Sequence, residues 1–133
     1  MSRRQAGTSS VIVGEWTPSG EAIVRLPMRG PNGDGFDIPA VIDTGFDGWL
    51  SLPARQIRRL GLPRVGDVDV ELADGRVQRA ALYEASVLWD GSFRTINVEE
   101  APTDPLLGTE MLWGYELRIR YVAGGRVEIE ATP

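Results

Sequence analysis

An apolar run that ends abruptly on an acid, a hydroxyl and a glycine is the feature that most constrains how this chain can fold. Residues 40–42 are apolar and partly β-branched, which favours a strand, and Asp43-Thr44-Gly45 then turns the chain. A carboxylate at the end of an apolar strand lies where a buried surface opens to solvent, a position suited to acid–base chemistry. The same tripeptide also suits an Asx turn, in which Asp43 only binds the backbone two residues on. The tripeptide alone does not decide between these interpretations.

Short apolar or alternating runs, separated by turn-forming residues, account for most of the remaining sequence. About eight or nine strands are predicted, at 11–16, 22–28, 36–42, 67–72, 77–89 (one long bent strand or two), 93–98, 117–121 and 127–129. Residues 49–52 are a further extended apolar segment, residues 106–107 an apolar pair cut off by Gly108, and the predicted helices lie at 53–60 and 109–113. Residues 29–35 and 99–105 are predicted loops, and Asp74-Gly75 predicts a hairpin turn. Many short strands with two short helices indicate a mainly β barrel or sandwich.

The absence of three residue types narrows the chemistry. The chain has no histidine and no cysteine, and all 14 of its basic residues are arginine. These absences exclude Ser-His and Cys-His catalysis, thiolate or histidine zinc sites and lysine Schiff bases. Carboxylates remain as the acid–base groups of any enzyme built on this sequence.

The chain length limits the number of domains, and the net charge limits the classes of partner. A chain of 133 residues fits one domain, which we predict at 11–133 after a flexible tail at 1–10. The net charge of −5, with no basic run, argues against nucleic acid as a partner. No apolar segment approaches the roughly 20 residues that span a bilayer, so we expect no membrane partner either. The first residues do not look like a signal peptide, so a cytoplasmic location is the default expectation.

The order of these parts resembles that of the retropepsins, the retroviral-type aspartic proteases and their small bacterial relatives. The resemblance is carried by Val41-Ile42-Asp43-Thr44-Gly45 and by Leu106-Leu107-Gly108, with a hairpin between them, and it extends over about residues 11–129. It implies a closed or partly open acid-protease β-barrel with one or two short helices. It also implies an aspartic endopeptidase that needs no cofactor and acts on a polypeptide substrate.

The resemblance implies a catalytic role for Asp43, Thr44 and Gly45. Asp43 would be the catalytic aspartate, Thr44 would hydrogen-bond to its counterpart across a twofold axis, and Gly45 would face the substrate backbone. Two carboxylates at hydrogen-bonding distance cannot both ionise, so such a pair holds one proton and can activate water. One chain supplies one Asp-Thr-Gly, and the resemblance therefore implies a homodimer.

The resemblance also implies a set of substrate-binding residues outside the tripeptide. These are Phe46, Asp47, Asp74, Gly75, Leu107 and Gly108. The hairpin at Asp74 and Gly75 would be a flap over the bound peptide. Leu107 and Gly108 would belong to a segment threaded behind the Asp43 loop, with Gly108 allowing a close approach of the chains.

Two departures from the pattern keep other functions open. Phe46 stands where these proteases usually carry a small residue, and Thr109-Glu110 stands where viral members carry an arginine that pairs with the counterpart of Asp47. A non-catalytic module that binds peptides or a partner protein on the same fold is therefore the alternative. A metal site of oxygen ligands at Asp43 and Asp47 is a third hypothesis, although the acid spacing of a calcium loop is missing.

Overall fold

The structure, a computed structural model, describes residues 11–133, which form ten strands and two short helices. The strands are β1 (Ile12–Trp16), β2 (Ala22–Arg29), β3 (Gly35–Ile42), β4 (Leu50–Leu52), β5 (Arg64–Glu71), β6 (Val77–Trp89), β7 (Ser92–Glu100), β8 (Leu106–Leu107), β9 (Tyr115–Ile119) and β10 (Arg126–Ala131). The helices are α1 (Ala54–Leu60) and α2 (Thr109–Leu112). The predicted mainly β class is confirmed, while the predicted tail at 1–10 lies outside the described residues.

All ten strands belong to one sheet in the order β5-β6-β7-β4-β8-β3-β2-β1-β10-β9. Tight turns join several antiparallel neighbours, and the β6–β7 turn shows why its sequence folds this way. Asp90 and Gly91 both have positive φ, at 52° and 88°, as a two-residue type I′ hairpin requires. Gly75 has a φ of 86° in the β5–β6 hairpin that Asp74-Gly75 predicts.

Parallel pairing in the middle of the sheet brings distant parts of the sequence together. Strand β3 runs parallel to β8, with Val41 opposite Leu106 and Ile42 opposite Leu107. Strand β4 inserts between β8 and β7, antiparallel to the first and parallel to the second. The two apolar runs that end on Asp43-Thr44-Gly45 and on Gly108 therefore stop side by side.

An additional pairing between β2 and β6 closes the strands β6-β7-β4-β8-β3-β2 into a ring around the core. Side chains on alternate positions of β2 point into this core. The buried residues are Ala22, Val24, Leu26 and Met28, whereas Arg25 between them is exposed. The largest fully buried side chains are Trp89, Leu26, Met28, Ile38, Leu50, Leu52, Leu107, Met111, Ile129, Val24, Val87 and Val98.

Helix α1 starts one residue later than predicted because Pro53 takes an extended conformation, with φ −70° and ψ 156°, and precedes the helix. Ile57 and Leu60 are buried against the core, and Gly61 ends the helix in the left-handed conformation with φ 65°. Within residues 11–133, no helix has the length and apolar character needed to cross a bilayer.

The predicted loop at 99–105 is wrong at its start, because strand β7 extends through Glu100. The correction has a simple cause: Glu99 and Glu100 pair with Ser51 and Leu52 of the short strand β4. Polar side chains at the end of β7 concealed this parallel pairing, which depends on a segment almost fifty residues away in the sequence.

The C-terminal strand folds back onto its own chain. The turn at Gly124-Gly125 leads into β10, which pairs with β9 on one side and with β1 on the other. The sequence left open whether residues 125–131 pair between two subunits. Because both edges of β10 are occupied within one chain, pairing through this strand would require existing hydrogen bonds to break.

Candidate active site

Asp43 directly follows β3 and is half-buried at the start of a turn. Its Oδ1 accepts a hydrogen bond of 2.9 Å from the N–H of Gly45, so the Asx turn suggested by the sequence is present. Within residues 11–133, no hydrogen-bond donor or cation contacts Oδ2. The turn therefore fixes the position of the carboxylate while leaving one of its oxygens available.

Main-chain hydrogen bonds hold the loop at residues 43–49, called here the Asp43 loop, against residues 107–110, called the brace segment. The bonds run from Asp43 N to Leu107 O (2.9 Å), from Gly108 N to Trp49 O (3.0 Å), from Thr109 N to Phe46 O (2.8 Å) and from Glu110 N to Gly48 O (3.1 Å). Thr109 Oγ1 also lies 3.4 Å from Phe46 O. The shape of the loop is thus set largely by the backbone of a segment some sixty residues further along the chain.

Two glycines allow this close approach and also accommodate Phe46. A Cβ on Gly108 would collide with the carbonyl oxygen of Gly48 and lie 2.7 Å from Phe46 Cδ2. A Cβ on Gly48 would lie 2.6 Å from Phe46 Cζ. The ring of Phe46 therefore packs over Gly48 and Gly108, which lets the loop carry a large residue at this position.

A groove of about 690 Å³ separates the Asp43 loop from β5 and the start of the hairpin that follows it. Gly45, Phe46 and Asp47 line one side, and residues 69–73 line the other, together with Glu99 of β7. Strand β5 stands at the end of the sheet order, so one of its edges has no neighbouring strand among the described residues. The groove thus lies between a carboxylate-bearing loop and an open strand edge.

A side pocket of about 210 Å³ adjoins the groove, and both are lined by Phe46, Val70, Leu72 and Glu99. Residues of the side pocket alone include Ser51, Glu100 and Leu106. Its walls are mainly apolar, with carboxyl groups on β7 and hydroxyl groups on Ser51 of β4 and on Thr103 of the loop after β7.

The structure separates the residues that the sequence assigned to substrate binding. Phe46 and Asp47 line the groove, whereas Leu107 and Gly108 are buried in the brace segment behind the Asp43 loop. Asp74 and Gly75 form the tip of the β5–β6 hairpin and lie outside the residues that line the groove.

The hairpin tip is held by its own side chains. Asp74 accepts hydrogen bonds from the backbone N–H and the side chain of Arg76, at 3.0 and 2.6 Å. These bonds hold the pKa of Asp74 below its usual value. The glycine-poor hairpin is therefore stabilised by an ion pair at its turn.

Sequence reasoning missed most of the groove and pocket residues, among them Ser51, Val70, Leu72 and Glu99. A weak signal exists for each of these four, because Leu50-Ser51-Leu52 and Val98-Glu99 place a polar residue between or after buried apolar ones, and Val70 and Leu72 are the apolar positions of an alternating strand. Only the fold shows that these positions face the Asp43 loop.

The groove acid Glu99 has a raised pKa. Partial burial, followed by the negative charge of Asp47, raises the pKa of its carboxyl group. Glu99 Oε2 lies close to the backbone of Gly48, where an added Cβ would be only 2.5 Å away. Glu99 forms no salt bridge within residues 11–133, so no cation offsets its charge.

The ion pair of the viral pattern, between an arginine and the counterpart of Asp47, is replaced here by a contact of a different kind. Asp47 is exposed and forms no salt bridge within residues 11–133. Thr109 instead binds the main chain of Phe46 through its N–H and its hydroxyl group. Over the same range, no three acidic side chains converge as a group that could hold a metal ion.

Comparison with solved structures identifies the fold. The structure is similar to a retropepsin-like aspartic protease from Rickettsia conorii, with a TM-score of 0.60 and 18% identity over 96% of this chain and 97% of that one. It is similar to EIAV protease bound to the inhibitor HBY-793, with a TM-score of 0.55 and 15% identity over 72% and 88% of the two chains. A foamy viral protease-reverse transcriptase matches with a TM-score of 0.53 and 13% identity over 76% of this chain and 13% of its own.

No protein-family profile matches the sequence, and no curated protein matches it. The fold is nevertheless retropepsin-like, as the resemblance in the sequence predicted.

Gly108→Ala tests the contact between the Asp43 loop and the brace segment. We expect a loss of about 1–3 kcal/mol in the free energy of unfolding, because the new methyl group would collide with the Gly48 carbonyl. Gly66→Ala is the matched control, since a Cβ there meets nothing within 4 Å and its φ is not positive. Urea unfolding of both variants measures the difference, and equal stabilities would contradict the tight contact.

Glu99→Gln tests whether the ionised carboxyl group of Glu99 destabilises the folded state. Because the pKa of Glu99 is raised in the folded state, its protonation contributes stability at low pH. This contribution is lost as the pH rises through the folded-state pKa. We therefore expect the variant, which imitates the neutral form, to raise the melting temperature at pH 7 and to lose this advantage below about pH 4.

Glu84→Gln, at an exposed position of β6, removes the same charge outside the groove and is the control. Thermal unfolding at both pH values measures the effect. A Glu99→Gln variant that is less stable than wild type at pH 7 would contradict the assignment.

Proposed function

We propose that this protein is an aspartic endopeptidase that acts as a homodimer, with Asp43 as its catalytic residue. One observation carries the proposal: the backbone-braced loop that lines the open groove with Gly45, Phe46 and Asp47 also carries Asp43, one of whose carboxylate oxygens has no partner within the described residues. The fold shared with two retropepsin-like or viral proteases supports it.

The chemistry follows from two carboxylates at hydrogen-bonding distance. Like charges at such short range cannot both ionise, so the pair retains one proton. The ionised member takes a proton from water, and the protonated member polarises the carbonyl group of the peptide. The residues required are carboxylates alone, which suits a chain without histidine, cysteine or lysine.

Each chain contributes one Asp43, so the pair requires two subunits related by a twofold axis. Thr44 is exposed, and its hydroxyl group has no partner within residues 11–133, which leaves it available to its counterpart. Since both edges of β10 are occupied, we propose that the subunits meet through the face carrying Asp43, Thr44 and Gly45.

The substrate that best suits the groove is an extended polypeptide. A peptide in extended conformation could add main-chain hydrogen bonds to the open edge of β5, as in other cases of strand addition. Gly45, on the opposite side, presents backbone without a side chain to the same groove. The proposed role of Asp74 and Gly75 is then to close the hairpin over the end of the bound peptide.

A non-catalytic peptide-binding module is the second candidate. The observation that favours it is the Asx turn, because a carboxylate that caps its own turn has a structural reason to be there. This candidate shares the groove and the open strand edge with the protease. The two proposals differ only in whether the bound peptide is cleaved.

Asp43→Asn tests the proposed function. We expect the variant to fold and dimerise but to lose at least about a hundredfold in cleavage rate, because an amide cannot take a proton from water. The measurement is cleavage of an unfolded protein such as reduced, alkylated casein over acidic to neutral pH, with the mass in solution recorded for both proteins. Asp104→Asn, an exposed aspartate in the loop between β7 and β8, is the control and should retain activity.

Undiminished cleavage by the Asp43→Asn variant would exclude Asp43 as the catalytic residue. Binding of peptides without cleavage at any pH, by wild type and variant alike, would favour the non-catalytic module.

A further inference from the structure

The strands β7, β4 and β8 place one row of side chains along the side pocket. Ser51 is opposite Glu99 on one side and opposite Leu106 on the other. The neighbouring row, made of Leu50, Val98 and Leu107, is completely buried in the core. Since side chains alternate across a sheet, the first row points away from the core and towards the side pocket.

This row lies beside the proposed catalytic residue. Val41 is opposite Leu106 in the adjacent strand β3, and Asp43 follows Val41 by two residues. Phe46 and Leu72 complete the pocket from the Asp43 loop and the hairpin. A side chain entering the pocket would therefore belong to a residue close to the bond that the proposed mechanism cleaves.

Two polar groups in the pocket have no partners within residues 11–133. The hydroxyl group of Ser51 is buried, the residue being only 3% exposed, and it forms no hydrogen bond. The Glu99 carboxylate forms no salt bridge or hydrogen bond within the described residues, and the charge that acts on it is that of another acid, Asp47. A buried hydroxyl group and a carboxylate without partners both destabilise the fold. A ligand that supplies hydrogen-bond donors would satisfy both groups.

The other acid of the pocket is already engaged. Glu100 accepts a hydrogen bond of 3.2 Å from the hydroxyl group of Tyr83. Asp69 and Glu71 line the groove outside the pocket, and neither forms a salt bridge within the described residues. Across the lining of groove and pocket the charged side chains are all acidic, which favours a cation.

We infer that the side pocket selects an arginine side chain of the peptide substrate, with Glu99 as the specificity-determining residue. The inference rests on the proposed function. The apolar walls at Phe46, Leu72 and Leu106 contact the methylene groups, and the guanidinium group donates hydrogen bonds to the Glu99 carboxylate and to Ser51 Oγ. Arginine fits better than lysine because its planar group offers five donors in a fixed fork.

The test compares peptides that differ only in arginine or citrulline, which has nearly the same shape without the charge. Cleavage sites in casein, mapped by mass spectrometry, supply the parent sequence, and kcat/KM is measured for the pair. We expect wild type to prefer arginine by about tenfold to a hundredfold, the range for a charged hydrogen bond. Glu99→Gln should reduce the ratio to near one, whereas Glu84→Gln should preserve it.

Two further measurements separate specificity from damage to the fold. Ser51→Ala should lower the arginine preference by a smaller factor without loss of stability, because it removes an unpaired buried hydroxyl group. The preference in wild type should also weaken as the pH falls and Glu99 becomes protonated, with Asp47, Glu100, Asp69 and Glu71 as its acidic surroundings. A preference unaffected by Glu99→Gln would overturn the inference.

Binding keeps the inference separate from the proposed function. Fluorescence-labelled arginine and citrulline versions of a casein-derived peptide are titrated against the Asp43→Asn variant, with and without Glu99→Gln. Cleavage without arginine preference would overturn the pocket assignment and leave the protease intact. Arginine-selective binding without cleavage by wild type would overturn the protease and leave the pocket assignment intact. Unselective binding without cleavage would overturn both the protease and the pocket assignment.

Discussion

The main-chain hydrogen bonds between the Asp43 loop and the brace segment are the interaction on which the rest of the structure depends. They join two parts of the chain that stop side by side because β3 and β8 run parallel. Backbone groups buried at this junction need partners, and each strand end supplies them to the other. Gly48 and Gly108 allow the approach, and the same approach leaves room for Phe46 to fold over them. The position of the Asp43 carboxylate is a consequence of this junction.

The groove and the side pocket beside this junction carry polar groups that do not stabilise the fold. Glu99 is partly buried without a counter-ion, and Ser51 has a buried hydroxyl group without a partner within the described residues. The core one row away, around Leu50 and Val98, has no exposed surface at all. A sheet that packs so completely on one face and leaves unmatched polar groups on the other is consistent with a face that receives a ligand.

Local patterns in the sequence were sufficient for most elements, and long-range pairings were not. The apolar run of β2, the alternation in β5 and the turn at Asp74-Gly75 each predict structure from neighbouring residues alone. The end of β7 was missed because its partner, β4, is distant in sequence, and Glu99 was missed with it. At the candidate site, the tripeptide indicated a turn and a carboxylate, but the groove required β5 and the Asp43 loop to be seen together.

The proposed active site takes its two carboxylates from two chains, and a mixing experiment tests this most directly. Wild type and the Asp43→Asn variant are unfolded together, refolded in known proportions and assayed for cleavage at constant total protein. If each site needs Asp43 from both subunits, activity will follow the square of the wild-type fraction. Activity that falls in direct proportion to that fraction would contradict the claim, because each chain would then work alone.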